Sequence, residues 1–238
     1  MRLLRSLGTY VSFATNGGLM ALALSMAFPG THRAIAPASF GMVEIAPRVW
    51  SDAPARRTSH LQMIAEARGT IARFFQSEAT TPLILLCSTR TCARSFGIGG
   101  NGLSIADLIV MVAPGGLNTG TLTHEFSHSW LHQSMGLRNL VDHPYPTWFD
   151  EGLATHVAGH PRWRGTISAD HIARVRRARH VWHWRGTMAD LGVGRAYASA
   201  AAEVARIERK VGRAGLLELI ARADAGEDFD ALEAGIGR

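Results

Sequence analysis

The chain has 238 residues, of which 47% are hydrophobic and 18% are charged, which is typical of a globular domain and excludes a disordered chain. Its formal net charge of +6 comes from arginine, since Lys210 is the only lysine. No nucleic-acid recognition motif accompanies this charge, so nucleic acid is not an expected partner. Cys87 and Cys92 are too few for a structural Cys-zinc site. They are either a short-loop disulfide or two ordinary thiols, depending on the compartment.

The N-terminus has the pattern of an export signal. Arg2 and Arg5 precede a charge-free stretch over residues 6–31, and its second half, residues 19–28, is apolar apart from Ser25. This pattern is typical of a secretory signal, but the whole stretch is also long enough for an uncleaved membrane anchor, and a buried helix is a third interpretation. We expect residues 1–38 to be a signal peptide or membrane anchor plus linker; as an anchor, this segment would associate the protein with a membrane. We therefore expect an exported (periplasmic or extracellular) or membrane-anchored protein, in which the two cysteines are bridged.

The first predicted elements are one helix and three strands. Residues 29–58 contain four prolines and read as a linker around a short strand at 42–46. Helical spacing of apolar residues predicts a helix over 59–78, and apolar runs predict strands at 83–86 and 108–112. Glycines at 97, 99 and 102 formally satisfy GxGxxG, but no strand runs directly into them, so a turn is predicted.

Helices dominate the rest of the chain. Asn118 or Thr119 is expected to cap a helix that runs to Met135. Thr147, with Asp150 three residues later, predicts a capping-box-like start of the next helix. Further helical patterns cover residues 170–183, 196–211, 214–223 and 229–235. The order of a helix, strands and then helices predicts an α+β fold with a small sheet.

The strongest functional signal is the segment HEFSH at residues 124–128. Residues four apart lie one turn apart on the same face of a helix, so His124 and His128 can reach one ion. Glu125 between them can address water bound to that ion without coordinating it. The segment follows an apolar strand and lies on a well-capped predicted helix. It therefore predicts a zinc (Zn2+) site with two histidine ligands and Glu125 as general base.

A catalytic zinc needs a third protein ligand and keeps one position open. His132 continues the histidine row, but three histidines successively four apart on one straight helix cannot all close on one ion. A metzincin would require glycine at 131 and histidine at 134, where this chain has Leu131 and Ser134. Glu151 is the better donor, because an antiparallel helix across a short loop can bring its first-turn carboxylate to the histidine pair. The alternative for Glu151 is an interaction with the helix dipole.

The segment WFDEGLA at residues 148–154 extends the pattern. HExxH followed by this segment resembles the gluzincin group of zinc metallopeptidases in the peptidase MA clan, whose M1-like members carry W-x-x-E-G-x-A on the ligand helix. The resemblance covers residues 80–238 and implies a zincin-like metalloprotease domain, within residues 39–238, with a small mixed sheet, an HExxH active-site helix and a helical C-terminal half. It also implies that Tyr197 stabilises the tetrahedral intermediate.

Two departures from the family narrow what the resemblance implies. The metal motifs are separated by more residues than is usual in M1-like enzymes, and the G-x-M-E-N motif that holds a free amino terminus is missing. The sequence GGNG at residues 99–102 lies in that region without a carboxylate, so aminopeptidase activity is not expected. By resemblance, the strand at 108–112 is the sheet edge along which a peptide substrate lies.

Other polar residues have both structural and functional interpretations. His156 and His160 are four apart without a base between them and predict either a surface pair or a second metal site. Asp150 could orient a metal ligand or cap its helix, and His143 could contact substrate. Four arginines at residues 174, 176, 177 and 179 predict a solvated basic face or a contact with an anionic membrane or substrate.

The sequence as a whole predicts a zinc metallopeptidase that hydrolyses a peptide or protein substrate. The alternatives are a non-catalytic zincin-fold metal-binding protein and a membrane-surface interaction protein. The intact Glu125 favours the enzyme, because a purely structural site needs ligands but no base.

Overall fold

The computed structural model describes residues 30–134, 143–159 and 166–236. Within these ranges the chain is an α+β protein that is mostly helical and contains one mixed sheet of five strands. The predicted α+β class, with a small mixed sheet and a helical C-terminal half, is confirmed.

The sheet has parallel strands in its centre and an antiparallel strand at each edge. Its order is β1-β2-β3-β5-β4; β2, β3 and β5 are parallel, and β1 and β4 are antiparallel to their neighbours. The strands are β1 (Val43–Ala46), β2 (Val49–Ser51), β3 (Leu83–Leu86), β4 (Gly102–Ile105) and β5 (Ile109–Val112). The prediction that the strand at 108–112 forms the edge is wrong, because β5 pairs with β3 on one side and β4 on the other.

Eight α-helices are described in these ranges. They are α1 (Arg57–Phe75), α2 (Arg90–Ser95), α3 (Thr119–Leu131), α4 (Thr147–Ala158), α5 (Ala169–Arg176), α6 (Val181–Leu191), α7 (Val193–Asp224) and α8 (Phe229–Gly235). Short 3-10 helices lie at Thr31–Ile35, Pro37–Phe40, Pro54–Arg56 and Pro114–Gly116. α7 is interrupted at Gly212, whose φ of 74° is non-helical, so the two helices predicted over 196–211 and 214–223 follow each other with only this break.

The sheet separates two cores because side chains alternate between its faces. Ile84 and Val110 belong to the larger core, which α1, α3, α4 and α7 cover. Leu85 and Met111 point to the opposite face and belong to a smaller core with α2 and the segment from residue 34 to 42. Since both faces of the central strands are buried, these strands appear in sequence as continuous apolar runs.

Two of the strands and one of the α-helices were not predicted. β2 is only three residues long and lies between prolines. α2 is a helix of six residues capped by Thr89. β4 begins at Gly102, and its glycine-rich approach favoured a turn over a strand. Strand formation there depends on pairing with β5 rather than on local propensity.

The helix predicted over 170–183 is divided into α5 and α6. The carbonyls of Ala178 and Arg179 accept hydrogen bonds from the backbone N–H groups of Trp148 and Thr147, at 3.0 Å and 3.1 Å. Because these carbonyls serve the first turn of α4, the helix cannot continue through them.

α3 also ends earlier than predicted. Its last residue is Leu131, and His132 follows as the C-cap. The predicted end at Met135 and Gly136 lies outside the described residues. His132 leaves the helical conformation where its side chain turns toward α4, a contact that the sequence pattern did not contain.

The predicted signal or anchor lies largely outside the described ranges, which begin at residue 30. From there the chain packs on the smaller core, where Thr31 and Ala34 are buried and the Arg33 guanidinium donates a hydrogen bond to the carbonyl of Ser95. Among the described helices, none has the length and apolar character needed to cross a membrane.

Cys87 and Cys92 form a disulfide, which confirms the predicted bridge. Cys87 directly follows β3 and Cys92 lies in α2, so the bond ties this helix to the end of a central strand. The bridge belongs to the smaller core, on the face of the sheet opposite α3 and α4.

α4 and α7 pack closely against each other in the larger core. A Cβ atom placed on Gly152 would lie 2.7 Å from the carbonyl oxygen of Ala200 and 3.0 Å from the Val204 side chain. Only a glycine therefore allows the two backbones to approach this closely. This contact sets the distance between the helix that carries Glu151 and the helix that carries Tyr197.

We predict that Gly152→Ala destabilises the protein, because the new methyl group meets backbone and must move a helix. The expected loss in the free energy of unfolding is about 1–3 kcal/mol. The control is Gly186→Ala in α6, where a Cβ meets nothing within 4 Å and should stabilise the helix by about 0.5–1 kcal/mol. Urea denaturation of metal-free protein measures both. Equal effects of the two substitutions would contradict the close-packing account.

Candidate metal centre

The first two candidate ligands lie on α3, whose start is fixed by a side-chain cap. The Asn118 carboxamide oxygen accepts a hydrogen bond from the backbone N–H of Thr121 at 2.9 Å. Of the two predicted caps, Asn118 and Thr119, it is therefore Asn118 that caps the helix. One turn apart further along α3, the imidazoles of His124 and His128 point to the same place. Both histidines are buried, at 5% and 9% exposure.

The third candidate ligand is brought in by α4. The Nε2 atoms of His124 and His128 are 3.1 Å apart, and Oε2 of Glu151 lies 3.3 Å from the first and 3.5 Å from the second. This oxygen is buried and makes no hydrogen bond of ordinary geometry. Burial alone would raise the pKa of Glu151, but its contacts with the two histidines outweigh burial and lower the pKa to about 2.

The triangle of these three atoms has the dimensions of a zinc site. With zinc–ligand bonds of about 2.0–2.1 Å, the ligands of a tetrahedral ion are separated by about 3.3 Å. The three separations, 3.1, 3.3 and 3.5 Å, bracket that value. Two imidazole nitrogens and one carboxylate oxygen are also a donor set that zinc accepts in catalytic sites. The residues present therefore fit zinc.

Asp150 supports one of the histidines. Its Oδ1 lies 2.8 Å from Nδ1 of His128, and this hydrogen bond orients the ring so that Nε2 faces the triangle. Burial opposes ionisation of Asp150, but the neighbouring His132 and His128 hold its pKa well below the usual range. The predicted capping role is wrong, since Pro146 occupies the N-cap position without a side-chain cap and Asp150 faces the histidines.

Glu125 lies beside the triangle and against the edge strand. A Cβ on Gly102 of β4 would be 2.4 Å from Oε1 of Glu125, so the carboxylate sits directly over the backbone of this strand. Burial raises the pKa of Glu125, and the carboxylates of Glu151 and Asp150 add to the rise, while His124 and His128 oppose it. A raised pKa brings a carboxylate closer to the range that suits proton transfer at neutral pH.

Tyr197 completes the surroundings from α7. Its ring meets the His124 ring edge-on, with 5.7 Å between centroids, and the buried Trp184 of α6 packs edge-on against its other side at 5.2 Å. Burial and the nearby charge of Glu151 raise the pKa of Tyr197, so its hydroxyl keeps its proton at neutral pH. Tyr197 thus lies next to a candidate ligand, with a hydroxyl that can donate a hydrogen bond.

The centre concentrates negative charge. Glu125, Asp150 and Glu151 are all close together and largely buried. Within the described ranges none of them forms a salt bridge to arginine or lysine, and the ion-pair partners of Asp150 and Glu151 are histidines of α3. Buried carboxylates need cationic partners or metal ions. The histidines supply part of that compensation, and a divalent ion at the triangle would supply more.

The structure brings together all five residues predicted for the site. Glu125, Tyr197 and the three ligand candidates His124, His128 and Glu151 lie on three helices within one buried region. The sequence did not predict Gly102, Trp184 or the position of His132. The signal for Gly102 was present as a glycine-rich segment, but only the sheet pairing shows that one of these glycines faces Glu125.

The other polar candidates have structural partners. His156 contacts the Glu208 carboxylate of α7, and His160, the second member of the proposed pair, lies outside the described residues. His143 is exposed and its ring is 5.2 Å from that of His132. Part of the predicted basic face is instead an ion-pair network: Arg176 binds Glu203 and Glu233, and Arg179 pairs with Asp230.

The chain matches no model of a protein family, no curated protein and no solved structure. The resemblance to gluzincins therefore stays a prediction carried by the motif residues.

Proposed function

We propose that this protein is a zinc-dependent hydrolase that cleaves peptide bonds, with the zincin-like architecture of the gluzincins. The observation that carries the proposal is the zinc-sized triangle of His124, His128 and Glu151, with Glu125 beside it and outside the ligand set. A structural metal site would need the ligands but would gain nothing from a buried carboxylate next to them. Zinc held there would lower the pKa of a water molecule and polarise the scissile carbonyl.

Glu125 acts as the general base. Its carboxylate accepts a proton from the attacking water and then delivers that proton to the leaving nitrogen. Burial raises the pKa of Glu125 and so improves it as a base. Gly102 supports this role because its missing side chain leaves the space that the carboxylate occupies.

Tyr197 donates a hydrogen bond to the oxyanion of the tetrahedral intermediate. Its phenol lies beside His124 and is held between that ring and Trp184. A donor fixed before the reaction stabilises developing charge without reorganisation.

The substrate backbone adds to the edge of β4 that faces away from β5, where no described strand pairs with it. The carbonyl of Asn101 accepts a hydrogen bond from the N–H of Ala113 at 2.9 Å, and backbone groups alternate in direction along an antiparallel strand. The backbone groups of Gly102 and Ser104 consequently point away from β5. An extended peptide paired with them would pass next to Glu125. This corrects the predicted substrate strand from β5 to β4.

The absence of a G-x-M-E-N segment argues against an aminopeptidase, so we propose hydrolysis of a peptide or protein substrate without recognition of its free amino terminus. The disulfide is consistent with an exported or membrane-anchored protein, since such bonds persist in oxidising compartments.

We predict about one zinc ion per chain, because three ligands and one open position define a single catalytic site. His124→Ala, His128→Ala and Glu151→Ala should each lose most of the metal. The control is His156→Ala, which removes a histidine paired with Glu208 and should keep it. Elemental analysis after dialysis measures the zinc content. Full retention in Glu151→Ala would place the third ligand elsewhere, and a parent protein without zinc affinity would refute the proposal.

We predict that Glu125→Gln keeps zinc but loses hydrolysis by about 10²–10⁴-fold, since the amide cannot accept the proton. Unfolded casein and a mixture of quenched fluorescent peptides serve as substrates. A rate equal to that of the parent would remove Glu125 as base. A zinc-loaded parent that cleaves none of these substrates would favour the non-catalytic alternative.

We predict that Gly102→Ala also keeps zinc and slows hydrolysis by about 10²-fold, because the new methyl group displaces the Glu125 carboxylate. The control is Gly99→Ala, where a Cβ meets nothing within 4 Å and the rate should not change. The two variants are compared by zinc content and initial rate. Similar rates would mean that Glu125 does not need its present position.

We predict that Tyr197→Phe lowers the turnover number by about 10²-fold, which corresponds to about 3 kcal/mol of lost oxyanion stabilisation. The ring and its packing are kept, so zinc content and the melting temperature should barely change. Steady-state kinetics separate the turnover number from KM. Turnover at the parent rate would show that Tyr197 is not the oxyanion donor.

A further inference from the structure

His132 is the third member of the histidine row and is not part of the zinc-sized triangle. It is the C-cap residue of α3, and its side chain is only 11% exposed. Its Nε2 lies 2.9 Å from Oδ2 of Asp150, while Oδ1 of the same carboxylate lies 2.8 Å from Nδ1 of His128. Asp150 is thus held between two imidazoles, one at each oxygen.

This arrangement has a consequence for the ligand His128. A carboxylate bound at one oxygen can still rotate, since the terminal torsion of aspartate is broad. A second donor on the other oxygen fixes the carboxylate plane, and the plane fixes the hydrogen bond to Nδ1 of His128. The orientation of the His128 ring, and the direction in which its Nε2 atom points, therefore depend on His132 through Asp150.

We propose that His132 is a positioning residue that strengthens zinc binding by holding Asp150 against the ligand His128. The inference rests on the proposed zinc site and adds a residue that does not touch the ion. The positioning role accounts for the histidine at position 132. Its side chain contacts Asp150, which lies at Nδ1 of the His128 ring, whereas the triangle lies at Nε2 of that ring.

The same three side chains allow one competing arrangement. Ligand atoms of His128, His132 and Asp150 lie within 4.8 Å of one another and could hold a second metal ion. That ion would have to replace the two short hydrogen bonds of Asp150 and take Nδ1 of His128, whose Nε2 already faces His124. The positioning role requires no such change, because it depends on the two hydrogen bonds of Asp150 that the structure contains.

Two matched substitutions at position 132 test whether the side chain must reach the Asp150 carboxylate, as distinct from a general effect on stability. His132→Gln places an amide nitrogen where Nε2 of the histidine stands and can donate to Asp150. His132→Asn is also polar, but its amide nitrogen corresponds to Nδ1 and falls short. A third variant, His156→Gln, alters another part-buried histidine–carboxylate pair, that with Glu208, away from the triangle.

The experiment measures the zinc Kd of the full chain by competition with a chelating dye, and the melting temperature of the metal-free protein separately. We expect His132→Asn to weaken zinc binding by about tenfold or more, and His132→Gln and His156→Gln to stay within about threefold of the parent. In an Asp150→Asn background, His132→Asn should add little, because it acts through Asp150.

Equal zinc affinity of His132→Asn and the parent would overturn the inference, as would His132→Gln binding as weakly as His132→Asn. Two zinc ions per chain in the parent, falling to one in His132→Asn, would establish the competing metal set instead. In each case His124→Ala would still abolish zinc binding at the triangle. Failure of the proposed function would look different, with no zinc bound by the parent.

Discussion

The constraint on which this structure depends is the burial of three carboxylates next to three histidines at the contact between α3 and α4. Uncompensated charge of this kind is costly in a protein interior, so each oxygen and nitrogen needs a defined partner. Asp150 meets that need with two short hydrogen bonds to α3. Glu151 meets it by facing the pair of Nε2 atoms, where a divalent ion would complete the balance. The relative position of the two helices follows from these contacts.

Packing among the C-terminal helices holds α4, and with it Glu151, in position beside α3. Gly152 directly follows Glu151 and lets α7 approach α4 until the ring of Tyr197 reaches His124. Further out, Arg176 of α5 binds Glu203 of α7 and Glu233 of α8, and its guanidinium lies 5.0 Å from the Trp148 ring centroid. An arginine that looked like part of a solvated face in the sequence thus ties three helices to the one that carries Glu151.

The opposite wall of the centre is the edge of the sheet. A side chain at Gly102 of β4 would occupy the space of Glu125, and this strand is held in place by pairing with β5 rather than by its own propensity. The missing side chain admits the candidate base next to the backbone of this edge strand. This contact explains one glycine of a segment that has no nucleotide-binding context.

The sequence by itself determined the features that depend on local spacing. The i,i+4 histidines fixed the common direction of two imidazoles, and the apolar runs fixed the two central strands of the sheet. Asn118 and Thr119 marked where α3 begins, and the predicted start at Thr147 is the first residue of α4. Tertiary structure alone decided the rest, because those outcomes depend on contacts between residues far apart in the chain. The split between α5 and α6 arises from carbonyls taken by α4, and the roles of Asp150 and His132 arise from a hydrogen-bonded contact between α3 and α4 that no local pattern contains.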